Sequence, residues 1–547
     1  MKIGVITDCE KVSKYNSDLL NWIKEQNNID LTLLIIQNSN FSTTKARIIF
    51  HGFKGSLRRI SFRFLSKIDS YLASIFNKNL NFHNKNILIK NKFINTIYVE
   101  PKVSKSGLVF RFQEDDIEKI KEFNLDLMIR MGSGILKGEV LKSSLFGIVS
   151  FHHADNKINR GGPACFWEVF KKIDSTGFTI QVLTEELDGG KVLKIGNFHT
   201  QSTYSENAFN VFRKSNFYMQ RLLSYIAKNN ALPEILDSVP YSNKLYKVPS
   251  IRQQLYYLKY LINFYFSKFY RRKILRKFNK WNVAFTFSDW KKAVLYRGIT
   301  IRNPSNSFLA DPFVIENEGK FFCFVENYSF IEKKANIAVY QLENHTAKYL
   351  GESINEKFDL SYPFVFKYQD QFFMLPESSK NKDLRLYKSK NFPHEWELER
   401  VIFNNINACD GTIFWYGQKW WLFMNKDESD SLENNSELFA YYSENPVDAE
   451  WIAHPKNPLV VDSSSARMGG LLTDENNVYL VFQSQGFNLY GRSTKIYRIK
   501  ELTEKNFARE YICEVTPDFS ENIIGTHHMN SFGKCTVFDY LKEDYLS

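Results

Sequence analysis

Residues 308–326 read FLADPFVIENEGKFFCFVE, and the pattern in this stretch decides the fold of the C-terminal half. A polar residue opens a short apolar run, a polar turn follows, and a second apolar run ends on an acid or amide. Asp311-Pro312-Phe313 is followed fifteen residues after Asp311 by Glu326. Tyr362-Pro363-Phe364 leads to Glu377 at the end of FFMLPE, again fifteen residues on. Asp410-Gly411-Thr412 leads to Asn425 after WWLFM. Arg467-Met468-Gly469 leads to Gln483 after VYLVF, here at sixteen. His527-His528-Met529 runs into KCTVFD at 534–539. The starts lie 51, 48, 57 and 60 residues apart, room for four short strands each. Such a unit is one blade of a propeller, and five units predict an all-β, five-bladed propeller over 283–547. A blade's first strand lines the channel. Asp311, Tyr362, Asp410, Arg467 and His527 are therefore candidate channel residues, with Arg467 and His527 suited to a phosphate or carboxylate. Glu377 is a third candidate carboxylate. The shared offset of Glu326 and Glu377 also fits residues that merely end a strand. Trp415, Trp420 and Trp421 could stack on sugar rings, although a place in the core suits at least one of the last two.

Outward from the repeats the pattern changes. KIGVIT at 2–7 and LTLLII at 31–36 read as buried parallel strands, with a helix at about 16–26 between them. No GxGxxG follows the first strand, so a dinucleotide-binding fingerprint is absent. Further strand-like runs stand at 125–131, 147–152 and 178–183. Helical patterns stand at 58–76 and 203–229. Alternating strands and helices predict a Rossmann-type parallel α/β domain over 1–235. Residues 236–282 form a connector. Its 251–281 stretch mixes aromatics with nine Lys and Arg and has no acid. Two readings stand for it: a helix packed between domains with a solvated basic face, or a segment lying on an anionic membrane surface.

Composition sets the outer bounds. A chain of 547 residues exceeds what one hydrophobic core supports, so the protein is multidomain. The net charge of +12 favours acidic partners such as nucleotide sugars or lipid phosphates. No nucleic-acid recognition motif is present, so nucleic acid is not expected. Six scattered cysteines without a CxxC pair predict neither a disulfide framework nor a metal site. No signal peptide and no spanning helix are visible, which places the chain in the cytoplasm, with a peripheral place at the inner membrane as an option.

Four motifs between 124 and 190 carry a resemblance. They are Ser150-Phe151-His152, Arg160-Gly161, Thr176-Gly177-Phe178-Thr179 and Asp188-Gly189-Gly190. Their order and spacing resemble the formyltransferases that act on methionyl-tRNA, glycinamide ribonucleotide or amino sugars. The resemblance implies 10-formyltetrahydrofolate as donor, His152 as oxyanion donor and Asp188 as base or orienter. It places Arg160 and Gly161 on the substrate side. The sequence departs from that family at Ser150, where the family has Asn. The loop HHADNKINRGGP at 152–163 likewise replaces the family's apolar version.

The C-terminal units resemble a second group through FLADPFV, FFMLPES, RMGGLL and GTHHMN. That group is the propeller of glucosamine inositolphosphorylceramide transferases and, more distantly, of five-bladed glycosidases. Two carboxylates across a glycosidic bond would do the chemistry in the latter. The expected function is a transferase of bacterial surface-glycan assembly. In it the N-terminal domain moves a formyl or related acyl group to an amino sugar or nucleotide sugar, and the propeller binds or processes the glycan. The alternatives are a catalytic propeller of glycosyltransferase or glycosidase type on a degenerate N-terminal scaffold, and a non-catalytic glycan-binding protein.

Overall fold

A computed structural model describes residues 1–38, 44–77, 80, 87–104, 108–186, 189–237, 241–270, 277–429, 431 and 433–545. Asp188 and connector residues 271–276 lie outside them. The chain divides into two compact units. One is Met1–Phe264 with Ser429–Ser431, and the other Tyr265–Glu428 with Leu432–Ser547. The division falls inside the 236–282 stretch.

The N-terminal unit is built on a seven-stranded sheet. Its strands are β1 (Lys2–Thr7), β2 (Asp30–Gln37), β3 (Asn95–Val99), β4 (Leu127–Arg130), β5 (Ile148–His152), β6 (Ser175–Val182) and β7 (Lys191–His199), in the order β7-β6-β5-β4-β1-β2-β3. After one exposed residue, β1 and β2 are buried throughout, as strands covered on both faces must be. Five strands from β3 to β5 run parallel. The sheet is not parallel throughout, as the sequence predicts, because β6 and β7 are antiparallel. The link 183–190 is too short for a crossover helix, so it can only close a hairpin.

Among the described residues the sheet is accompanied by the helices α1 (Lys14–Lys24), α2 (Thr44–Phe76), α3 (Glu114–Lys121), α4 (Phe166–Lys171) and α5 (Tyr204–Asn229), and α6 (Ile251–Tyr270) follows across the division between the units. Helix α5 starts in a capping box: Thr203 Oγ1 accepts from the Glu206 amide and donates to its carboxylate. The same end meets α2, where buried Asp69 accepts from the Ser205 amide at 2.8 Å and hydroxyl at 3.0 Å. Ile6, Leu33, Ile35, Phe110, Ile117, Met128 and Ile148 form the core on one side of the sheet. Among the described residues no helix is long and apolar enough to cross a membrane.

The C-terminal unit is all β. Among the described residues it forms five antiparallel sheets, four of which each begin with one strand of the repeat: Ser307–Asn317, Ser361–Tyr368, Ala408–Tyr416 and Arg467–Thr473. The fifth joins Lys277–Thr286 to the last strand, Cys535–Tyr545, with Met529–Phe532 on the latter's other edge. The first strands of neighbouring sheets touch in sequence, and Met529–Phe532 returns to Ser307–Asn317. The core between the sheets is aromatic, with Phe313, Phe324, Tyr362, Trp421 and Phe482 all buried.

Candidate functional site

Three of the repeat's opening residues share a backbone device. Each first strand carries a bulge, between Ala310 and Phe313, Ser361 and Phe364, and Cys409 and Thr412. Asp311, Tyr362 and Asp410 sit in these bulges with φ of 50°, 46° and 53°. L-residues rarely adopt this left-handed conformation, and three copies at one position make it part of the architecture. In the fourth sheet the bulge lies between Met468 and Leu471, and its left-handed residue is a glycine: Gly470 has φ 124°, and a Cβ there would lie 2.0 Å from the Met529 carbonyl oxygen.

Pairing corrects one sequence register. Ala310, Ser361 and Cys409 lie opposite Glu326, Glu377 and Asn425, and Arg467 lies opposite Gln483. Arg467 therefore stands one residue before the position of Asp311, Tyr362 and Asp410, which Met468 fills. The sixteen-residue offset to Gln483, against fifteen elsewhere, is the trace of this slip.

Arg467 still reaches the cluster by length. Its Nε and Nη2 meet both oxygens of Asp410, the second at 3.2 Å. Nη2 also lies 3.5 Å from Glu377 Oε2, and Nη1 donates to Asn434 Oδ1 at 3.1 Å. Burial raises the Asp410 carboxyl, and Arg467 opposes that rise. On the other side, His527 Nε2 lies 3.3 Å from Asp311 and Nδ1 2.7 Å from Asp539. Trp281 stacks on its ring at 3.9 Å. Burial would lower His527, but the two carboxylates raise it above the ordinary value. Burial lowers its neighbour His528 to about 3, so the adjacent histidines are shifted in opposite directions. Asp311 rises through burial to about 6, with His527 pulling the other way. Tyr362 is fully buried: it bonds Thr412 Oγ1 at 3.0 Å and accepts from the Gly470 amide at 3.0 Å.

Asp311, Tyr362, Asp410, Arg467 and His527 thus come together, but below the surface. The open pocket beside them, about 290 Å³, is lined instead by Glu326, Glu377, Ser361, Lys380 and the stacked pair Phe308 and Tyr328, 5.1 Å apart. The five opening residues expected along the channel are gathered and buried beside this pocket and are not among its lining residues. Bulges turn them inward, and the ends of the second strands form its wall.

Those second-strand ends divide by use. Asn425 donates to the Glu437 and Ala466 carbonyls and accepts from the Met468 amide. Gln483 donates to the Met468 carbonyl, and Asp539 accepts from the His527 and His528 amides. These three tie first strands together. Glu377 instead accepts from Ser379 Oγ at 2.6 Å and faces Arg467. Burial, with the charges of Asp311 and Glu377 adding to it, holds Glu326 well above the carboxylate range. Sequence reasoning passed over Asp539, although KCTVFD ends on it as FFCFVE ends on Glu326. Oxygens and nitrogens of Asp311, His527 and Asp539 lie within 4.8 Å of one another, and these three could hold a metal ion. The sequence predicts no such site, because Asp311 lies 216 residues before His527.

In the N-terminal unit the predicted residues are engaged differently. His152 Nε2 meets the Asn159 carbonyl at 2.9 Å, and Ser150 Oγ donates to the Phe151 carbonyl at 3.3 Å. Arg160 donates to the Asn156 carbonyl and lies over the Tyr241 ring. Gly161 has φ 107°, and a Cβ there would meet the Tyr246 carbonyl at 2.2 Å. A cavity of about 170 Å³ is lined by Asn156, Arg160, Thr179, Gly190 and Asp237. Asp188 falls outside the described residues.

With this geometry in place, likeness to known proteins adds to it. Residues 293–532 match the family described as "Glucosamine inositolphosphorylceramide transferase 1, N-terminal". The protein of that name from Oryza sativa subsp. japonica is 36% identical over 209 residues, which are 37% of this chain and 28% of the rice protein. The chain thus spans little more than a quarter of that relative's length. The methionyl-tRNA formyltransferase of Bacillus subtilis (strain 168) is 23% identical over 206 residues, 38% of this chain and 63% of that enzyme. That match falls on the N-terminal region. The crystal structure of a thermostable family-43 glycoside hydrolase superposes with a TM-score of 0.34 at 14% identity, over 45% of this chain and 92% of its own. The family match falls on the C-terminal unit.

Proposed function

We propose that the protein is a sugar transferase of glycosyltransferase type, with its working site in a C-terminal five-bladed propeller and its N-terminal unit as scaffold. One observation carries this reading. Of the five second-strand ends, Asn425, Gln483 and Asp539 hold backbone together, while Glu326 and Glu377 face an open pocket. Burial beside Asp311 and Glu377 favours the protonated form of Glu326, which suits it to hydrogen-bond a sugar hydroxyl or leaving-group oxygen. Glu377, beside Arg467, is placed to take a proton from an acceptor hydroxyl. The faces of Phe308 and Tyr328 suit a sugar ring, and Lys380 at the rim suits a phosphate. Transfer then means attack of the acceptor oxygen on the anomeric carbon as the activated donor's leaving group departs. The matched family's name, with its glucosamine and its inositol phosphate lipid, supports a sugar donor and a phosphorylated acceptor.

The test pairs binding with turnover on the full chain. Thermal shifts are read with panels of nucleotide sugars, sugar phosphates and folates, then product is sought by mass spectrometry. A sugar-phosphate shift, with transfer falling about 100-fold in Glu377→Gln, is expected. Shifts with folates alone, or transfer unchanged in both Glu326→Gln and Glu377→Gln, overturn the reading.

A further inference from the structure

Helix α2 presents an unusual outer face. From residue 57 to 76 its exposed residues are Leu57, Arg58, Arg59, Ile60, Arg63, Phe64, Lys67, Tyr71, Ile75 and Phe76. Every one is either apolar or basic. Ile60, Phe64, Tyr71 and Ile75 are 59%, 67%, 69% and 59% exposed, and they fall on one side of the helix at spacings of four, seven and four. The opposite side already packs inward through Phe62, Leu65, Asp69 and Ala73. The outer apolar stripe is therefore not the helix's core face. The only acid in the helix, Asp69, is turned away from solvent.

A second helix continues the face. Gln254 of α6 donates to the Arg58 carbonyl at 2.9 Å. Leu57 and Leu255 each stand one residue from that bond, and both are exposed. Leu255, Tyr256 and Ile262 then extend the apolar surface along α6, with Arg252 and Lys259 among them and no acid in the helix.

We infer that this α2–α6 face docks on an anionic lipid bilayer. Charge complementarity selects the occupant. A second copy of the same face would bring like charges against one another, which opposes a symmetric pairing. Aliphatic Leu57, Ile60 and Ile75 gain nothing from a nucleic acid but gain on entering the boundary between head groups and acyl chains. Arg58, Arg63 and Lys67 then sit at head-group phosphates, where each basic residue strengthens attachment to an anionic surface. Neither helix is able to span, so attachment is peripheral, reversible and salt-sensitive.

The experiment is vesicle co-sedimentation of the full chain. One set of vesicles is phosphatidylcholine alone, and the other carries about three parts in ten of phosphatidylglycerol. Binding to the anionic set only, weakened by salt, is expected. Phe64→Glu/Tyr71→Glu and Arg63→Glu/Lys67→Glu change exposed positions and should each reduce it about tenfold or more, with melting temperature unchanged. No binding, equal binding to both sets, or unaltered binding by these variants overturns the inference. So does self-association, or RNA binding in a gel-shift assay, that the same substitutions abolish while vesicles are ignored.

Discussion

The loop 152–160 of the N-terminal unit and the buried cluster of the C-terminal unit both gather histidine, acid and base, yet they use them in opposite ways. In the loop, His152 and Arg160 bond backbone carbonyls, and Asn159 donates to Glu168 at 2.7 Å. Those bonds fix the shape of a loop. In the cluster, Arg467 faces Asp410 and Glu377, and His527 lies between Asp311 and Asp539. Charges that face each other out of water carry a desolvation cost that a hydrophobic core of the same volume avoids. On the proposed reading, such a cluster beside the pocket serves work on a substrate rather than stability.

The largest effect expected from breaking this contrast is at Asp410. Asp410→Ala leaves the Arg467 guanidinium buried without its main partner, and should destabilise the C-terminal unit by about 3–5 kcal/mol. Asp410→Ala combined with Arg467→Met removes both charges and should recover much of that loss. Calorimetric melting of the two variants checks it. A double variant no more stable than the single one would show that the pair is held by packing rather than charge.

Buried acids outside the cluster sharpen the comparison. Burial pushes Asp69 to about 7, opposed by its bonds from Ser205. Its folded value lies above its unfolded one, so the native state binds this proton more tightly. Stability is therefore greatest below about pH 4 as far as this group is concerned. It falls as pH rises towards 7, by about 2–4 kcal/mol. In Asp69→Asn, which keeps an oxygen for the Ser205 amide, that fall should vanish from the difference between variant and parent melts. Equal pH dependence in the two proteins would mean that Asp69 is ionised as folded.

What could be read from the chain follows from how each feature is encoded. Apolar runs such as KIGVIT mark buried strands, but look the same whichever way the neighbour runs. The hairpin of β6 and β7 therefore stayed hidden among parallel strands. The repeat announced its units, because a polar residue before Pro-Phe or Gly-Thr recurs at a fixed distance from the next strand's end. It could not say which end of a strand opens to solvent. Asp311 and Asp410 thus stood out as channel groups, although bulges bury them, while Glu326 looked architectural. The unequal offset at Arg467 and the final acid of KCTVFD were both visible. Each needed strand pairing to give it meaning.

The smallest expected effects divide the two regions most cleanly, because they separate stability from activity. His152→Ala removes one bond from a part-buried imidazole to a carbonyl, worth about 1 kcal/mol. If the loop is structural, sugar transfer by this variant should match the parent within about twofold once folded protein is counted. Glu377→Gln should do the reverse. The amide keeps the size of the side chain and an oxygen for Ser379, so melting should move by no more than about 1 kcal/mol while transfer collapses. Arg467 still has both oxygens of Asp410, which is why losing the Glu377 charge need not unsettle the cluster. Kinetics and calorimetry on the same preparations decide it. Transfer that falls with His152→Ala and persists with Glu377→Gln would reverse the assignment and return the chemistry to the N-terminal unit.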